Sequence, residues 1–189
     1  AVLEVAESAK ESGLAGSLLT NLGNLRLATA DFEGAAEAFR RALSMDVSPE
    51  TSAMLWSNLA AAEIELGQIG SALANLEAAV TLATRIGKLL VIVEAGIRRG
   101  TALLRKGETD RGIAELESGI AAARERRFVE PLLEGLLSLG AALLTLRRDG
   151  GAERLEEARA LATGIGDATV GPRVDALLAA AGRQPPIAR

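Results

Sequence analysis

Polar chemistry in this 189-residue chain has to be done without histidine, cysteine or tyrosine. No imidazole base, thiolate nucleophile, or ordinary zinc, haem or iron–sulfur site can be built from what is left. Without cysteine there are no disulfides, so the composition neither requires nor excludes an oxidising compartment. Serine and threonine are plentiful, but no imidazole exists to activate them. Glu63 and Glu65 are two apart and point to different faces of a helix. Gly164-Ile165-Gly166 followed by Gly171 is not the G-x-G-x-x-G nucleotide fingerprint, and no strand precedes it. Lys10, Lys88 and Lys106 stand in no motif. The chain is therefore expected to be no enzyme, with no catalytic residue, no metal and no cofactor. Two kinds of group remain: asparagine amides, which donate and accept, and guanidiniums, which fork onto carboxylates. Such groups bind rather than react, so the scaffold that aligns them decides what they can do.

The scaffold is predicted to be all-α. Half the residues are hydrophobic (49%), yet the only aromatics are Phe32, Phe39, Trp56 and Phe128. The core must come from Ala, Leu, Ile and Val, and the helix formers among them dominate. The apolar fraction is too high and the net charge of -4 too small for a disordered chain. No apolar run approaches the ~20 residues of a membrane span, and no N-terminal signal is visible. Residues 1–60 hold eight acidic and four basic side chains, so the excess negative charge lies there. Arginines outnumber lysines eighteen to three and fall in small clusters with acidic neighbours. Neither membrane nor nucleic acid is expected as a partner, since nucleic-acid binders usually show a basic face. The first residue is Ala1 rather than Met, which suggests a processed product or a fragment of something longer.

The chain repeats. Leu3, Phe39, Leu76, Leu116 and Leu155 head similar segments and are 36, 37, 40 and 39 residues apart. Between them runs a second register, in which Gly23, Ala60, Gly100 and Gly140 are spaced 37, 40 and 40. Each unit thus holds two apolar-periodic segments, both long enough for helices. Short turns separate them: TADFEG, LGQIG, RKGETD and RRDGG. Pro49, Pro131 and Pro172 stand where new helices should begin, and Gly87 punctuates the boundary that lacks a proline. The expected organisation is a second helix over 1–12, hairpins over 16–49, 53–89, 93–129 and 133–168, a capping helix over 172–182 and a tail over 183–189.

These units resemble tetratricopeptide repeats along nearly the whole chain. Leu19-Thr-Asn-Leu22-Gly23 and Trp56-Ser-Asn-Leu59-Ala60 fit the first-helix pattern of that family. Gly67 and Gly107 fit its turn. Ala35/Phe39/Ala42, Ala72/Leu76/Ala79, Gly112/Leu116/Gly119 and Gly151/Leu155/Ala158 fit the small–large–small columns of its second helix. HEAT and armadillo repeats have similar periods but do not explain both patterns together. The period near 40 is similar to the long-repeat variant found in kinesin light chains, G-protein-regulating scaffolds and bacterial signalling regulators. Aliphatics such as Leu103 and Leu143 replace the usual tyrosines, so no aromatic groove carries over. The resemblance implies an α-α superhelix, a solenoid whose first helices line a concave groove.

It also implies which residues face that groove. These are Ser17, Thr20, Asn21, Asn24 and Ala28, then Met54, Ser57, Asn58, Ala61 and Glu65. Glu94, Ile97, Arg98, Thr101 and Arg105 follow, then Glu134, Leu137, Ser138, Ala141 and Thr145. Asn21, Asn24 and Asn58 would hold a peptide backbone, and Arg98 and Arg105 would take acidic groups, with Thr101 between them. The asparagines have two readings, ligand contact or bonding to neighbouring helices. Arg98 and Arg105 could instead pair with Glu94 or Glu65. Asn24, Asn58 and Arg98 fit three places of a family clamp for C-terminal carboxylates, but Thr20 and Glu94 replace its two lysines. Trp56 is expected in the core, and the arginines of 124–127 at an exposed helix end. The resemblance implies a cytoplasmic module that binds a protein or peptide, with self-association as an alternative. The alternatives are a structural or self-association arm, or else a ligand-sensing segment, of a multidomain bacterial signalling or transcription regulator.

Overall fold

A computed structural model describes residues 2–182, with residues 2–12 as backbone alone. Among the described residues there are nine helices and no strand. They are α1 (Val2–Ala28), α2 (Phe32–Leu43), α3 (Pro49–Glu65), α4 (Ile69–Ile86), α5 (Leu89–Lys106), α6 (Thr109–Arg126), α7 (Val129–Thr145), α8 (Gly151–Ile165) and α9 (Val170–Gly182). The fold is all-α, a series of helical hairpins. The chain forms two compact units, residues 1–112 and 113–189.

Several boundaries differ from expectation. The break expected between residues 12 and 16 is absent, and α1 runs unbroken through Gly13 and Gly16. A helical glycine costs only ~1 kcal/mol, and no residue there takes a left-handed conformation. The helices α3, α5 and α7 begin four residues earlier than the hairpin starts placed at 53, 93 and 133. Pro49 is the first residue of α3, where its missing N–H costs nothing, and Ser48 caps it by accepting from the Thr51 amide at 3.1 Å. Pro131 falls in the first turn of α7, which is why the helix can start ahead of it. The expected tail, 183–189, lies outside the described residues.

Seven helices stop in one way. At the ends of α1, α3, α4, α5, α6, α7 and α8 a residue of positive φ follows the last turn. The next amide then reaches back five residues, as from Gln68 to the Glu63 carbonyl at 2.8 Å and from Lys88 to Ala83 at 2.9 Å. This is the Schellman arrangement, which satisfies carbonyls the helix leaves open. Gly67, Gly87, Gly107 and Gly166 suit it, but Ala30, Arg127 and Arg147 occupy the same place with φ of 60°, 57° and 53°. In the RRDGG turn the stop is therefore Arg147, while Gly150 precedes α8.

The columns form the core of each unit. Phe39, Leu76, Leu116 and Leu155 are wholly buried. Phe39, Leu76 and Leu155 each face a small residue of the preceding helix, Gly23, Ala60 and Gly140. A Cβ on Gly23 would strike the Phe39 ring, and one on Gly140 would lie 2.8 Å from Leu155. Phe39 gathers Ala35, Ala42, Leu55 and Leu59, and Leu76 gathers Ala60, Ala72, Ala79 and Ala95. Trp56 is half-buried against the Leu76 cluster. The Glu63 carboxylate is also buried. It accepts from Arg40 of α2 at 3.0 Å and from Asn75 of α4 at 2.7 Å, so a charge on α3 ties three helices together.

Candidate functional site

The N-terminal unit brings α1, α3 and α5 side by side; three expected site residues bond to one another across them, and a fourth, Arg105, pairs with Glu65. The Asn58 amide nitrogen donates to the Asn24 carbonyl oxygen at 3.1 Å. The Asn58 carbonyl oxygen accepts from Arg98 Nη1 at 2.9 Å, and the same nitrogen donates to Ser57 Oγ at 2.8 Å. Asn24, Asn58 and Arg98 therefore form a polar ladder over three helices. Asn24 and Asn58 thus bond to neighbouring helices, one of the two readings open from sequence. Arg105 Nη2 donates to both carboxylate oxygens of Glu65, at 2.8 and 2.9 Å, one of the two pairings open from sequence, and Nη1 reaches the Ile64 carbonyl at 3.5 Å.

The other two residues stand apart. Asn21 is exposed on α1, outside the ladder. The Thr101 hydroxyl donates down its own helix to the Ile97 carbonyl at 3.3 Å. Three positions assigned to the groove are instead buried: Ser57, Ile97 and, in the second unit, Leu137. The accessible stripe is therefore narrower than the full column set. Ser57, expected to face the groove, is buried and anchors Arg98. Its spacing one residue before Asn58 was visible, but not which neighbour it would meet.

A feature the sequence did not single out is the outer side of α1. Leu14, Leu18 and Leu25 are 63%, 62% and 62% exposed, with Leu22 beside them, spaced as one helical face. The arginines of 124–127 are exposed as expected, with Arg124 paired to Glu157 at 2.5 Å. Among the described residues no cluster of carboxylates could hold a metal ion, and no helix is long and apolar enough to cross a membrane.

Comparison with known proteins bears on the fold. Residues 16–46 match the family model of the tetratricopeptide repeat. That hairpin is the one whose second helix ends four residues past its anchor, Phe39, whereas α4, α6 and α8 run ten past theirs. No curated protein sequence matches the chain. Among solved structures, aspartyl phosphate phosphatase F from Bacillus subtilis superposes with a TM-score of 0.69 at 13% identity, over 88% of this chain and 45% of that one. The Rap conjugation gene regulator of plasmid pLS20, in complex with the Phr* peptide, gives 0.65 at 13% identity, over 84% and 51%. BtubC from P. vanneervenii gives 0.56 at 15%, over 100% and 93%. The chain spans about half the length of the first two.

Proposed function

We propose that this tetratricopeptide-repeat chain is an interaction module that holds an extended peptide, or a partner helix, across α1, α3 and α5. The ladder carries the reading. Asn58 gives one of its two N–H groups to Asn24 and one acceptor position to Arg98. It keeps a second N–H for a ligand carbonyl. Because Asn58 is held on both sides, by Asn24 and by Arg98, it loses little side-chain freedom on binding. Arg105 sits in an exposed pair with Glu65, a kind of contact worth ~0–1 kcal/mol, so a partner's carboxylate can replace it. The partner is thus a peptide with acidic groups. The regulator that resembles this fold was solved with a peptide bound, which is in keeping with the reading.

The test is binding to an array of extended acidic peptides by titration calorimetry. Asn58→Ala combined with Arg98→Ala should weaken the strongest binder by tenfold or more, on the order of two hydrogen bonds to charged or fixed groups. Circular dichroism must show the helices intact. Unchanged affinity in a folded double variant would refute the assignment.

A second reading has its own support in the exposed leucines of α1. Contiguous apolar patches on monomers commonly mark interaction sites. Here the chain is an arm of a cytoplasmic bacterial regulator, and α1 packs against another helix of that protein. Leu18→Glu would abolish this packing while leaving peptide binding on the ladder unchanged.

A further inference from the structure

A groove of about 490 Å³ runs along α4, on residues that the peptide-binding reading does not use. Trp56 of α3 lines it with Ala74, Ala78 and Thr81. Glu77 and Arg85 also line it, and each is exposed. The two charges stand four residues either side of Thr81. At 1.5 Å per residue they lie about 12 Å apart along the helix, with Thr81 midway.

This arrangement is its own complement. An antiparallel second copy of α4, related by a two-fold axis at Thr81, sets each Glu77 opposite Arg85 of the other copy. Two ion pairs form together. A parallel copy would set like charge on like charge and is disfavoured. Ala74 and Ala78 are small enough for helices to approach closely, and the indole of Trp56 supplies apolar area at the edge. Inside the chain the competing demand is slight. Glu77 lies 3.9 Å from Arg99, the outer limit of an ion pair, and Arg85 makes no ion pair among the described residues.

We propose that the α4 face is a self-association surface, whose occupant is α4 of a second copy in antiparallel orientation. The interface is isologous, so it closes as a dimer and does not propagate. It is independent of the peptide-binding reading.

Charge reversal tests it, since both side chains are exposed and the variants keep the fold. Sedimentation equilibrium should show a monomer–dimer equilibrium. Glu77→Arg alone sets four cations around the axis, and Arg85→Glu alone sets four anions. Each should weaken dimerisation by roughly tenfold or more, as like-charge contacts at interfaces do. The double variant Glu77→Arg, Arg85→Glu rebuilds both pairs with their signs exchanged and should return to within a few-fold of the parent. Raised salt should weaken the parent dimer and strengthen the single variants. Leu18→Glu, on the leucine face of α1, should leave dimerisation unchanged. A chain that stays monomeric, a dimer indifferent to the single reversals, a double variant no better than the singles, or loss of the dimer in Leu18→Glu would each overturn the proposal.

Discussion

The fit of helix to helix makes a prediction whose sign, not only its size, is decided by local space. Alanine is better than glycine in a helix interior by roughly 0.5–1 kcal/mol, because glycine has more freedom to lose on folding. At Gly96, mid-way along α5, a Cβ would find nothing within 4 Å. Gly96→Ala should therefore raise stability by about that amount. At Gly140, within α7, the same carbon would stand 2.8 Å from both Cγ and Cδ2 of Leu155 and 3.0 Å from the Gly151 carbonyl oxygen. Leu155 is wholly buried and the carbonyl belongs to the backbone of α8, so neither yields without parting the two helices. Overpacking of this sort costs typically 1–3 kcal/mol. It outweighs the propensity gain, and Gly140→Ala should lose about 1 kcal/mol net, the difference of the two central values. For a chain of this size each kcal/mol moves the melting temperature by roughly 2–4 °C. Thermal and urea unfolding followed by far-ultraviolet circular dichroism would measure both variants against the parent. Should Gly140→Ala match or exceed the parent, the close approach of α7 and α8 is not what limits residue 140, and the packing argument fails.

Further expectations are open to the same assay. Glu63→Leu removes a buried acceptor from Asn75 and Arg40 and should cost about 1–3 kcal/mol; adding Asn75→Leu should recover part of it, since no amide is then left unpaired. Arg147→Gly and Ala30→Gly relieve a left-handed conformation and should each stabilise by roughly 0.5–1 kcal/mol, whereas Gly67→Ala should destabilise by a similar amount. The Thr169 hydroxyl and amide hold the Asp167 carboxyl below the usual aspartate range. A carboxyl lowered in the folded state contributes stability above its unfolded pKa and loses it as pH falls through the folded one. Asp167→Asn should therefore lower the urea midpoint at neutral pH and leave it unchanged in strong acid, where the parent is protonated too.

The core was legible because each anchor recurs with small residues at helical spacing on both sides. Phe39, Leu76, Leu116 and Leu155 follow from that periodicity alone, since stacked backbones need a large side chain between small ones. The helix stops were half legible. Glycine advertises a left-handed residue, but Ala30, Arg127 and Arg147 take the same conformation against their intrinsic preference, held by the five-residue backbone bond that follows. Nothing in an arginine signals that role. The ladder was legible as residue types and as a column, but not as bonds. Whether Asn58 meets Asn24 or water depends on the approach of α1 to α3, a distance the sequence does not carry. The burial of Ser57, Ile97 and Leu137 was not legible for a related reason: family columns locate a helix face, not how much of that face stays open to solvent.

The overhang of the second helices sets a rule for changes in length. The four residues of α2 beyond Phe39, against ten beyond each of the later anchors, leave the anchors buried alike. Length past an anchor is thus tolerated. Length before it is not, because one inserted residue turns everything downstream by about 100° and carries a buried leucine to the solvent side. Each hairpin therefore has a fixed reading frame from its first turn to its anchor, and a free margin after it. Insertions and deletions in chains built this way should gather in those margins, one residue at a time, and appear ahead of the anchors only in near-whole turns of three or four.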